Sequence, residues 1–387
     1  MARVLVTFGK HPKTLAVARS LGRSGRRVFI SDDTPFALST FSKYCSASFR
    51  TASPLNSPSL FLRQIESICK KHSIDLIVPM DDAECDILSR SDFSCGVDAS
   101  VTLPPLKSYW IARDKHKTLQ LAGSLGISVP KTLLVTDEES VSSIPGNLAL
   151  PAVVKPRIGS GSRGFLILDE ESKLPLVRDL LRTYGELLAQ EFIPSKKAIG
   201  ASFLYQRGRA RAVFVHERIV QFPHSGGPSI LRESIHDPLI AESAMALLDK
   251  LEWHGVAMVE FRIDSRTGTP ILMEINPRFW GSLPLAIASG VDFPSLLCDV
   301  YEKGGCASVD SYKVGLRCAN LLPFGLAALV SCFGRRGTVH TAYSLLASGH
   351  FDVESAEDPM PFLGAMLSMA RNFVDPSMVE AVLHRSV

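Results

Sequence analysis

The chain has 387 residues, 46% of them hydrophobic and 21% charged, and a formal net charge of +3. That length allows two or three domains with a sizeable core, and the composition is that of an ordinary soluble globular protein. So small a net charge gives no argument for nucleic acid or an anionic membrane surface as a partner.

Taken in chain order, residues 3–8, RVLVTF, read as a buried strand. Residues 13–22 read as a helix with Leu15, Ala18 and Leu21 on one stripe, and RRVFISD as a second strand. An amphipathic helix over 59–72 and a strand in IDLIVPMDD follow. This βαβ alternation predicts an open parallel sheet with helices on its faces. In such sheets ligands sit at the carboxyl ends of the strands. Asp81, Asp82 and Glu84 fall there, where helix capping and first-turn acids compete with ligand contact as the explanation. The first turn, TFGKHPKT, is neither GxGxxG nor a Walker A loop, so a dinucleotide site is unsupported. Residues 104–113 read as a connection, RDKHKTLQLAGSLG as a helix ending near Gly123 or Gly126, VPKT as extended, and 137–150 as loop. The section 300–387 mixes apolar helical stretches with turns and suggests no chemistry. The eight cysteines show no CxxC spacing, which leaves free thiols of a cytoplasmic protein as the simplest account. No apolar run reaches the roughly 18 residues of a membrane span, and the N-terminus lacks the long apolar core of a signal peptide.

Three stretches could carry chemistry. In PAVVKPRIGSGSRGFLIL a strand bearing Lys155 leads into Gly159, Ser160, Gly161, Ser162 and Gly164, then into another strand. Backbone N–H groups of such a tip can wrap anionic oxygens, and Lys155 adds a charge for phosphate; a hydrated hairpin loop is the plain alternative. AQEFIP is a short strand whose backbone could meet a purine edge, with Glu191 equally readable as a surface acid. The third is GVAMVEFRID, the turn SRTGT and LMEINPRFWGS. If this hairpin is symmetric about Thr267, Glu260 lies opposite Glu274, and facing residues of an antiparallel ladder share a face. Two opposed carboxylates repel unless a cation lies between them, and Mg²⁺ is a hard cation held by one or two carboxylates plus substrate phosphates. Asn276 adds an oxygen, and Arg278 can reach developing negative charge. A surface hairpin with its acids on Arg262 and Arg278 is the alternative. HSGGPS, before Arg232, reads either as a loop able to close over a substrate or as an ordinary turn.

The ordered series DKHKT…GISVPKT, VVKP…GSGSRG, QEFI, MVEF and MEINPR resembles the ATP-grasp superfamily, over residues 1 to about 300, and most resembles its carboxylate–amine ligases. The resemblance implies an α/β fold: a Rossmann-like domain over 1–105, an ATP-grasp domain over 106–300 with a lid at about 150–190, and a helical or mixed extension over 301–387. It implies ATP and Mg²⁺, with Mn²⁺ as a substitute. Lys115 and Lys155 would contact phosphates, and Gly159, Ser160, Gly161, Ser162 and Gly164 would form the lid tip. The backbone of Glu191, Phe192 and Ile193 would hold adenine, and Glu260, Glu274 and Asn276 the metal. Arg278 would stabilise an acyl phosphate, with Arg232 as a second substrate contact. IPSKK departs from the family pattern, with Ser195 where glycine is frequent. The implied reaction joins a small carboxylate to an amine, amino acids among them, in a cytoplasmic enzyme compatible with a homodimer and needing neither nucleic acid nor membrane. A bicarbonate-activating enzyme and a non-catalytic nucleotide-binding regulator are the alternatives.

Overall fold

The computed structural model describes residues 2–90, 99–159, 161, 163–222, 227–331 and 338–374. Five parallel strands open the chain: β1 (Arg3–Val6), β2 (Arg27–Asp32), β3 (Cys45–Arg50), β4 (Leu76–Val78) and β5 (Ser100–Val101), in the order β3-β2-β1-β4-β5. The first helix, Pro12–Arg23, has proline at its start and His11 as N-cap, whose ring accepts from the Lys13 N–H. Leu15 to Leu21 are buried on every face, because this helix lies between the sheet and helices Leu283–Ala288 and Phe293–Glu302. One apolar core therefore runs from Val4, Val6 and Leu21 to Phe214, Met258, Trp280 and Phe293. Ser20 donates to Asp292, and Arg26 binds Asp299 and Glu302 along the same seam.

A small antiparallel sheet follows: β6 (Thr132–Val135), β7 (Ala152–Pro156), β8 (Leu166–Leu168) and β9 (Leu187–Glu191), ordered β6-β9-β7-β8. Its apolar face closes on helix Leu174–Tyr184 through Val154, Leu168 and Val177. The large sheet comprises β10 (Lys197–Gln206), β11 (Arg209–Gln221), β12 (Ser229–Ile235), β13 (Gly255–Ile263), β14 (Pro270–Asn276), β15 (Arg317–Ala319) and β16 (Gly349–Phe351), ordered β14-β13-β10-β11-β12-β15-β16. Helix Pro238–Lys250 packs on it through Ile240, Ala244 and Leu247, with the Asp237 side chain accepting from Ile240 N–H at its start. β15 and β16, from the section after residue 300, thus extend this sheet rather than standing apart.

Two local expectations fail. Residues 104–113 do not form a simple connection: Leu106–Arg113 is a helix, because Tyr109, Ala112 and Arg113 find a buried face once the domains pack, which a short stretch with weak amphipathy does not announce. The segment 137–150 holds two short helices, Glu138–Ser142 and Ile144–Asn147; Asp137 and Ser140 form a capping box at the first. The other expected elements recur within a few residues, including Pro58–His72 and Lys115–Ser124, the latter capped by Asp114. Cys45, Cys69, Cys85, Cys298, Cys306 and Cys318 are unbridged. Among the described residues no helix is long and apolar enough to cross a membrane.

Candidate active site

The hairpin β13–β14 pairs Met258 with Asn276, Val259 with Ile275 and Glu260 with Glu274. The register slips by one residue between Glu260 and Phe261, so the two acids face each other only beyond that irregularity. Asn276 Nδ2 donates to Glu260 Oε1 at 3.0 Å and to Glu274 Oε1 at 3.2 Å. The amide dipole thus sits where the two carboxylates would otherwise repel.

Cations surround the pair. Arg218 reaches Glu260 at 2.5 Å, and Lys115 Nζ lies 3.5 Å from Glu274 Oε2. Burial alone would raise the Glu274 pKa, but Lys115, Lys155 and the Asn276 hydrogen bond outweigh it and hold the carboxyl below its ordinary range. Lys155, on β7, is pushed down to about 8 by burial and then by Lys115, against the pull of Glu274. Lys115 also donates to the Gly159 carbonyl at 2.6 Å, which ties the start of the lysine's helix to the glycine-rich turn. Gly161 and Gly164 have φ of +64° and +72°, the left-handed region that favours glycine. A Cβ at Gly164 would also come within 2.8 Å of Pro156 and 2.9 Å of Tyr184. Ser160, Ser162 and His224–Ser225–Gly226 of the expected loop lie outside the described residues.

Arg278 follows β14 and turns toward the N-terminal sheet. Its Nη2 donates to Asp82 Oδ2 at 2.8 Å and its Nη1 to the Phe279 carbonyl at 3.1 Å, while the buried Nε has no protein partner. Asp82 also faces Arg113 at 3.6 Å, and Arg113 holds Asp86 through two 2.8 Å bonds. Lys13 lies beside this group, 3.7 Å from Asp81, and burial, then Arg278, push it down to about 8. Burial keeps the neighbouring His11 well below its usual pKa, with Lys13, Arg278 and Arg232 adding to the effect. The guanidinium of Arg232, expected to reach a substrate, is committed to the C-terminal section: it is 1% exposed and donates to Asp352, Cys318 and the Ser229 carbonyl.

At the other end, the Glu191 carboxylate accepts from Arg266 at 2.7 Å and its N–H donates to the Lys131 carbonyl at 2.9 Å. Glu191 ends β9, and Ile193 just beyond it is buried. Sequence reading overlooked Arg218, Lys13 and the His216–Ser282 contact of 2.8 Å. Their signal was faint. Arg218 and His216 alternate on β11, and both face β10 at its small residues: Gly200 is opposite His216 and Glu260, and Ala198 is opposite Arg218. A Cβ on Gly200 would stand 2.4 Å from the His216 ring, so this glycine is what admits the ring.

Among the described residues no three His, Cys, Asp or Glu side chains form a ready-made metal cluster. The site offers two opposed carboxylates and one amide, a hard-oxygen set that suits Mg²⁺ when phosphate and water complete its shell. Lys115, Lys155, Glu260, Glu274 and Asn276 are thus brought together, with Arg278 and Lys13 placed at the boundary with the N-terminal sheet.

Residues 112–282 match the ATP-grasp domain family. The chain is 23% identical over 188 residues to the arginine-specific carbamoyl phosphate synthase large chain of Bacillus subtilis (strain 168), covering 45% of this chain and 17% of that one. It is 30% identical over 84 residues to D-alanine–D-alanine ligase of Neisseria gonorrhoeae (strain NCCP11945), covering 21% and 28%. The matches therefore span under a third of either relative's length. Among solved structures, biotin carboxylase from Campylobacter jejuni, in complex with β,γ-ATP, superposes with a TM-score of 0.66 at 17% identity over 81% of this chain and 74% of that one.

Proposed function

We propose that this chain, whose residues 112–282 match the ATP-grasp domain family, is an ATP-dependent ligase joining a carboxylate to an amine through an acyl phosphate, with release of ADP and phosphate. The observation that carries this is the Glu260–Glu274 pair bridged by Asn276 and ringed by Lys115, Lys155 and Arg218.

A carboxylate is a poor electrophile, because attack by an amine would have to expel oxide. Transfer of the γ-phosphoryl group supplies a leaving group, but it brings an anion against polyanionic ATP. Catalysis is then mostly positioning and charge stabilisation. Lys115 and Lys155 hold phosphate oxygens. The turn at Gly159, Gly161 and Gly164 folds over them and excludes water that would hydrolyse the acyl phosphate. Glu260, Glu274 and Asn276 would hold Mg²⁺, which when bound neutralises phosphate charge. The Arg278 guanidinium, fixed by Asp82, faces the charge that develops on the acyl phosphate and on the tetrahedral centre formed by the amine. No protein nucleophile is needed. The backbone at Glu191, Phe192 and Ile193 is assigned to adenine. Small molecules are the substrates, with amino acids as first candidates, and a homodimer is the assembly to test by sedimentation.

The likeness to carbamoyl phosphate synthase and biotin carboxylase favours one second reading, activation of bicarbonate. The deciding experiment is ADP release from MgATP across a panel of amino acids and small carboxylic acids, alone and with amines, and with bicarbonate alone. ADP and a condensed product only when acid and amine are both present support the ligase. ADP with bicarbonate alone moves the second reading ahead. Nucleotide binding without turnover in any combination overturns both. Activity that survives Glu274→Ala undiminished removes the metal assignment.

A further inference from the structure

The N-terminal sheet changes direction between β1 and β4, and the carboxyl ends of β1, β2 and β4 open into a cavity of ≈ 50 Å³ that the ATP-binding residues do not use. This is the place in an open parallel sheet where loops diverge and leave a crevice. The volume suits a small polar head group, the space of about three or four waters.

Its polar wall is acidic, and most of the acids are already engaged. Lys10 binds Asp33 at 2.5 Å. Asp32 accepts from the N–H of Lys10 and from the N–H and hydroxyl of Thr34, at 2.8, 2.7 and 2.6 Å. Asp81 has Lys13 at 3.7 Å. Glu84 differs: it is 4% exposed, lines the cavity, and its Oε2 has no hydrogen-bond partner. Ser31, 1% exposed on the same wall, also has an unpartnered hydroxyl. Buried polar atoms without partners are costly and uncommon, so two of them on one small cavity point to donors supplied by a ligand. Burial, with Asp81 beside it, lifts the Glu84 carboxyl to about 8 against the pull of Lys13 and Lys10.

The chemistry of that donor follows from spacing and lining. Among the described residues the acids are not gathered closely enough to hold a metal. An ammonium group carries three divergent N–H donors and can bridge acceptors that stand farther apart. The rest of the lining sets the apolar side chains of Phe8, Pro54, Phe61 and Ala83, with Leu55 62% exposed, beside Thr7, Thr51 and Ser53 and the Asp33-bound Lys10. Hence the body behind the ammonium is a short hydrocarbon.

We propose that this cavity binds the primary ammonium group of a substrate with a small apolar body, with Glu84 and Ser31 as acceptors and Asp81 adding negative charge. Its use in catalysis rests on the ligase reading, whereas the binding does not. Asp81 is the shared wall: its partner Lys13 lies 3.5 Å from the Phe279 carbonyl, next to Arg278.

The test is calorimetric titration of the full chain, without nucleotide, using isobutylamine, isobutanol and isovalerate. Saturable binding of isobutylamine alone, weakened about tenfold or more in Glu84→Gln, is expected, since a hydrogen bond to a charged group is worth at least that factor. Equal binding of isobutanol, undiminished amine binding by Glu84→Gln, or no saturable amine binding to the wild type would overturn the proposal. If Glu84→Gln fails to fold by circular dichroism, Ser31→Ala decides, with a several-fold loss expected and none refuting. The two readings separate cleanly. Amine binding through Glu84 with no ADP from any acid and amine leaves the cavity site standing and removes the ligase. ADP release with an amine KM unchanged in Glu84→Gln does the reverse.

Discussion

Arg232 is buried and Arg278 mostly so, both lie on or just after strands of the large sheet, and both rest on a buried aspartate, yet they do different work. Arg278 is held by Asp82 across 196 residues of sequence and keeps an unpartnered Nε beside Lys13 and His11. Arg232 is bound to Asp352, whose other oxygen accepts from Asn320 at 2.9 Å, so it staples β15 and β16 to β12. A buried guanidinium is therefore not a site by itself. Its role is set by whether its surroundings leave charge unsatisfied for a substrate or satisfy it with a distant part of the chain.

The sharpest way to break this contrast is Arg278→Ala. ADP release is expected to fall by about 10²–10³-fold, as when a preorganised donor to developing charge is removed, with little change in Tm because Asp82 keeps Arg113. Equal loss of stability and activity would place Arg278 with Arg232. The converse is Arg232→Ala, expected to lower stability by about 3–5 kcal/mol because it strands Asp352 in the core, read by urea unfolding; specific activity of the folded fraction should survive. Strong loss of activity at unchanged Tm would return Arg232 to the substrate.

A milder effect concerns the phosphate lysine. Lys155 is charged below its pKa of about 8 and loses its proton above it. MgATP affinity should hold steady from pH 6.5 to 7.5 and then fall by up to about tenfold per pH unit above 8. Lys155→Arg, which stays charged, should flatten that profile in equilibrium dialysis; the same slope in both proteins would show that another group titrates. The smallest effect is expected at the half-exposed Arg317–Glu233 pair on β15 and β12. Arg317→Ala should change stability by under about 0.5 kcal/mol, which would confirm that the buried Arg232–Asp352 contact, not the surface pair beside it, fastens the C-terminal strands.

Much of the site was legible because its central piece is local. The turn at Gly268 and strand alternation set Glu260 opposite Glu274 and put Asn276 on the same face, so the pairing could be counted from the sequence, although the irregularity that delivers the final register could not. The glycine-rich turn and the β1–α–β2 start were legible for the same reason. Helix Leu106–Arg113 was not, because its buried face exists only once other elements pack on it.

The sequence by itself determined the parallel N-terminal sheet, the hairpin bearing the opposed acids and the lysine-to-glycine turn, since periodicity and turn chemistry act over a few residues. Only the tertiary structure decided which charges meet: Arg218 with Glu260 across the small residues of β10, Arg278 with Asp82, Arg232 with Asp352, and Glu84 with one carboxylate oxygen left without a hydrogen bond among the described residues. A charge carries no address in the chain. Its partner is whatever the packing of distant elements brings within a few ångströms, and in a buried site that proximity outweighs every local preference.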